Sequence, residues 1–80
     1  MEQHDLNHEF PEYRDQIHSL KVSNNHFSRL FDEYHDVNRH VVRVELNAEL
    51  ATDFELEELK KRRLKLKDEL YDMLKGAVVN

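Results

Sequence analysis

Apolar residues recur along this chain at spacings of three and four, the mark of helices that bury one face. The first such run is Phe10, Tyr13, Ile17 and Leu20. Pro11 stands in its first turn, where a missing amide hydrogen breaks no helical bond. The run predicts a short helix from about Pro11 to Val22. Ser23, Asn24 and Asn25 then interrupt the pattern with side chains that bond their own backbone and favour turns and helix starts.

A second run, Phe27, Leu30, Tyr34, Val37, Val41, Val44 and Ala48, keeps a heptad-like rhythm and predicts a helix over about 26–50. The seam loses phase at Ala51-Thr52-Asp53. There, Thr52 or Asp53 reads as an N-cap, and Glu55, Glu57 and Glu58 suit the positive end of a third helix. That helix carries Leu56, Leu59, Arg63, Leu66, Leu70 and Met73, and Gly76 predicts a left-handed cap at its end. Residues 1–9, polar and aperiodic apart from Leu6, read as a disordered arm, and 77–80 as a frayed tail. A single domain over 10–76 remains.

Two long helices joined by a few residues must run in opposite directions. The expected fold is therefore all-α, an antiparallel helical hairpin of coiled-coil-like character with a short N-terminal helix. Folding about residue 52 sets Val44 against Leu59, Val37 against Leu66, Tyr34 against Leu70 and Leu30 against Met73. Phe31 and Val42 fall beside the main stripe of the second helix, and Leu64 and Tyr71 on a flank of the third. One mutual interface cannot cover all of them. The short helix is expected to fold back near the open end, and a second copy of the chain to cover the rest, making a homo-oligomer.

Composition narrows the class further. One Gly, one Pro, 39% hydrophobic and 36% charged residues among 80 disfavour a β-sandwich or a Gly-rich nucleotide fold. The absence of Cys excludes disulfides and thiolate metal sites. A net charge of −5 opposes whole-molecule attraction to nucleic acid or anionic membrane. The first residues lack the basic start and apolar run of a signal peptide, and no stretch reaches the ~20 apolar residues of a membrane span. A cytoplasmic protein with no membrane partner is the expectation.

Candidate chemistry is sparse. Lys60-Lys61-Arg62-Arg63-Leu64-Lys65-Leu66-Lys67 packs six cations into eight residues. The ordinary reading is a solvated helix face with pairs such as Glu57–Lys61 and Glu58–Arg62. Nucleic-acid association through 60–67 is the alternative, but no aromatic residue interleaves with the cations. Binding of the helix to anionic lipid is a third reading, weakened because Arg63 interrupts the apolar face. Arg63 is the one charged seam position; its stem either packs while the guanidinium reaches water, or the group crosses to a carboxylate on another chain. Of six His, His4 and His8 stand four apart, a spacing that can hold a metal on a helix, but here it falls in the arm. His18 and His26 flank the first turn, and His35 and His40 diverge on the helix surface. Ser19, Ser23, Ser28 and Thr52 fall at turns or helix starts, where capping accounts for them. No catalytic residue, cofactor site or metal site is expected, and the chain is not read as an enzyme.

The blocks Phe10-Pro11-Glu12-Tyr13-Arg14-Asp15-Gln16-Ile17, Phe27-Ser28-Arg29-Leu30-Phe31-Asp32-Glu33-Tyr34, Val44-Glu45 and the run from Leu59 to Leu74 resemble the YdcH family of small bacterial proteins. The resemblance covers about residues 10–74, with 59–74 its most specific part; the segment from Asn47 to Phe54 and the His-bearing arm lie outside it. It implies a small, helical, coiled-coil-forming cytoplasmic protein and supplies no catalytic residue. Together these readings predict a non-enzymatic protein-interaction or adaptor module with an unidentified protein partner. Its expected working surface is the flank of Lys60, Arg63, Leu64, Lys67 and Tyr71, able to accept an acidic amphipathic helix.

Overall fold

The computed structural model describes residues 5–77, and these form an all-α protein with no strand. The elements are α1 (Leu6–Glu9), a 3-10 turn (Pro11–Tyr13), α2 (Arg14–Ser23), α3 (Asn25–Glu45) and α4 (Asp53–Ala77). The last two are the longest and pack against one another most extensively.

Each start has a local cause. Asp5 caps α1 by accepting from the His8 amide at 2.7 Å. Asn24 closes α2 and caps α3, its Oδ1 accepting from the Phe27 amide at 3.0 Å. At α4 the two candidate caps resolve to Thr52. The Glu55 amide donates to Thr52 Oγ1 at 3.0 Å, and Glu55 Oε1 accepts from the Thr52 amide at 3.2 Å, a reciprocal capping box.

The core runs the length of the molecule: Leu6, Ile17, Phe27, Tyr34, Val37, Val41, Leu66, Leu70 and Leu74 form one buried cluster. Leu30, Leu56, Leu59 and Met73 from the expected seams pack against it, half-buried. Val44 is buried too. Leu74 completes the α4 stripe beside Met73, a position the sequence pattern had not assigned. Its burial follows from helical pitch, since an apolar face at 3.6 residues per turn is wider than a strict heptad seam.

Several expectations need correction. Residues 6–9 form a helical turn that brings Leu6 to 0% exposure in the core, where a disordered arm was expected; residues 1–4 lie outside the described part. The short helix opens as a 3-10 turn at Pro11 before becoming α-helical at Arg14. The second helix stops at Glu45, not near 50, and Ala48 is exposed rather than in the seam. The cause is Asn47, at φ 60°. Its amide donates to the Val44 carbonyl at 3.0 Å and the Ala48 amide to the Arg43 carbonyl at 2.9 Å, the two bonds of a Schellman ending. Gly76, expected to end the third helix in a left-handed conformation, has no positive φ, and α4 continues through it to Ala77. The remaining tail, 78–80, lies outside the described residues.

Candidate functional site

The basic run of α4 is occupied from several sides. Lys60 Nζ lies 3.4 Å from Glu45 and Arg62 Nη2 3.1 Å from Glu33, both carboxylates of α3. Lys61 meets Glu58 on its own helix at 3.7 Å, and Lys67 lies 3.9 Å from Glu9 of α1. Arg63 Nη1 donates to Asn38 Oδ1 of α3 at 3.0 Å, a half-buried bond to a neutral amide within the chain that neither reading of the sequence named. Five of the six cations in 60–67 thus have an acceptor inside the molecule.

Tyr71 is taken up as well. Its ring stacks on Phe10 with centroids 5.0 Å apart and meets the Tyr13 ring edge-on at 5.9 Å, while Lys75 Nζ sits 4.8 Å over its face. The segment from Phe10 to Tyr13 therefore closes over this flank. Burial pushes the Tyr13 phenol upward, with a further contribution from Tyr71 beside it. Of the five residues of the expected surface, Lys60, Arg63, Lys67 and Tyr71 contact other elements, and Leu64 stays 54% exposed.

A different apolar group is left bare. Leu46, Leu50 and Phe54, around the connection between α3 and α4, are 60%, 95% and 73% exposed. Leu50 and Phe54 line a groove of about 550 Å³ with Ala51, Leu59, the carboxylates Glu49, Glu55 and Glu58, and the basic side chains of His40 and Arg62. His40 and Arg43 both reach Glu49, the latter at 3.3 Å, and so tie the connection to α3. Leu46, Leu50 and Phe54 recur at every fourth position, a signal visible in the sequence but out of phase with the seam.

Among the histidines, His35 has structural surroundings. The Leu6 amide donates to His35 Nε2 at 3.2 Å, so the ring hydrogen sits on Nδ1 and is donated to the Phe31 carbonyl at 2.8 Å. The ring also lies 4.3 Å from that of Phe31. His8, His18 and His26 are exposed, and His4 lies outside the described residues. Among the described residues no group of three His, Asp or Glu is arranged to hold a metal ion. Ser23 donates its hydroxyl to the Ser19 carbonyl at 2.8 Å and Thr52 serves its capping box, both on exposed surface. No helix in the described part is long and apolar enough to cross a membrane.

Comparison with known proteins identifies the family. Residues 27–74 match the family described as "Protein of unknown function (DUF465)". The chain is 38% identical over 70 residues to "Uncharacterized protein YdcH" of Escherichia coli (strain K12), covering 88% of this chain and 95% of the relative. The Shigella flexneri protein of the same description matches to the same extent. No solved structure matches the chain. The chain belongs to the YdcH (DUF465) family.

Proposed function

We propose that the chain is an antiparallel helical hairpin with a coiled-coil-like seam, acting as a non-enzymatic protein-interaction module through the apolar tip where α3 and α4 join. The hairpin reading is supported by length: helices of 21 and 25 residues would span about 31 and 37 Å. Laid end to end they would exceed the 45 Å long axis of the molecule. Contacts such as Glu45–Lys60 near the connection and Asn38–Arg63 further from it fit a chain that doubles back.

The observation that carries the functional reading is the exposure of Leu46, Leu50 and Phe54 together. Each would gain roughly 1.5–3 kcal/mol by full burial, and among the described residues nothing closes over them. Thr52, Ser23, His35 and His40 are engaged in a cap, hydrogen bonds and an ion pair, which favours binding over catalysis. Nucleic-acid association through 60–67 has less to work with, because most of its cations would have to exchange an internal acceptor for phosphate.

The test is a comparison of captures from native lysate using the wild-type chain and a Leu50→Ser, Phe54→Ser variant. Both positions are exposed, so circular dichroism should show equal helicity. Proteins retained by the wild type and lost by the variant are expected. An identical set from both would overturn the reading.

A further inference from the structure

We infer that the apolar tip receives a cationic amphipathic segment of another protein, an inference that rests on the tip being the working surface. The apolar contacts are Leu50, Phe54 and, beside the groove, Leu46. The charge around them is mainly negative, although His40 and Arg62, the latter paired with Glu33, also line the groove. Residues 45–59 hold six carboxylates, Glu45, Glu49, Asp53, Glu55, Glu57 and Glu58, and no Lys or Arg. Flanking cations neutralise three: Lys60 reaches Glu45, Arg43 reaches Glu49 and Lys61 reaches Glu58. Asp53, Glu55 and Glu57, on either side of Phe54, form no ion pair among the described residues. Asp53 and Glu55 also serve the start of α4, so their charge is held there by the helix itself.

This frame selects among occupants. A second copy meeting tip to tip would bring like charges together around its leucines, at a cost in a contact that excludes water. A second copy offering its 60–67 run would present cations of which five already have partners. An anionic lipid surface or a nucleic acid is repelled by the same carboxylates. A helix or loop with two or three large apolar anchors flanked by Lys or Arg satisfies both the grease and the charge, and the groove of about 550 Å³ has room for those anchors.

The experiment is fluorescence anisotropy with the full chain and three labelled peptides: an amphipathic Leu/Lys repeat, and twins in which Glu or Gln replaces every Lys. The Lys peptide should bind wild type, weaken as salt is raised, and bind about tenfold or more weakly to Phe54→Ser and Leu50→Ser. The Glu twin should not bind. Equal affinity of the Lys peptide for wild type and both variants would overturn the proposal by placing the contact elsewhere. Equal binding of the Gln or Glu twin, still sensitive to Phe54→Ser, would overturn the choice of a cationic partner and leave the tip as a docking surface. No binding by any peptide would also overturn the inference, and the capture comparison then judges the parent reading independently.

Discussion

His35 accepts the Leu6 amide hydrogen on one ring nitrogen and donates from the other to Phe31, so a single side chain anchors a segment 29 residues away. Leu6 itself is fully buried, and its amide has this imidazole as its acceptor. His35→Phe keeps a ring against Phe31 but leaves the Leu6 amide unsatisfied, at a cost of about 1–3 kcal/mol. Hydrogen exchange should show the Leu6 amide losing protection while amides in the middle of α3 and α4 keep theirs; unchanged protection at Leu6 would contradict the anchoring role. Tyr34 offers a second residue-level test. Burial, aided by the charge of Glu9, pushes its phenol from 10.0 up to about 12, with Arg63 acting in the opposite direction. Because the folded value lies above the unfolded one, its contribution to stability is complete below about pH 10 and is lost as pH rises toward 12. Alkaline titration followed by phenolate absorbance and circular dichroism should show this loss, and Tyr34→Phe should flatten it.

At the scale of the element, the helices were readable because their apolar periodicity is strong. Phe27, Tyr34, Val37, Val41 and Val44 were expected on one face of α3 and are its buried residues. Leu66 and Leu70 are likewise buried on α4. The ends were less legible. Asn47 stops α3 by a backbone conformation that any local pattern search would rank below Gly, and the Ala48 position still fitted the heptad. Gly76 misled in the other direction, since a glycine within a helix end is tolerated at modest cost. Asn47→Val places a β-branched residue at φ 60° and should lower stability by about 1–2 kcal/mol. Urea denaturation monitored by helicity measures it; a midpoint equal to wild type would remove Asn47 from the account of why α3 ends.

At the scale of the whole molecule, contacts distant in sequence decide what the surface offers. Neither the bond from Leu6 to His35 nor that from Arg63 to Asn38 follows from spacing along one helix. The same holds for Phe10 and Tyr13 closing over Tyr71, which consumes part of the flank expected to bind a partner. Apolar surplus that argued for a second copy is partly absorbed in this way, since Phe31 also packs against the core. Of the large apolar side chains left bare, Val22 and Leu64 stand apart while Leu46, Leu50 and Phe54 share the tip, and the tip exists only if α4 returns beside α3. The chain has no cysteine, so Asp32→Cys and Asp72→Cys, at exposed positions, give one unique pair of spin labels. Pulsed electron resonance between them should give a separation below about 25 Å, two packed helix axes plus label reach. A separation near 60 Å, the length of about 40 residues in one unbroken helix, would contradict the hairpin and the working surface with it.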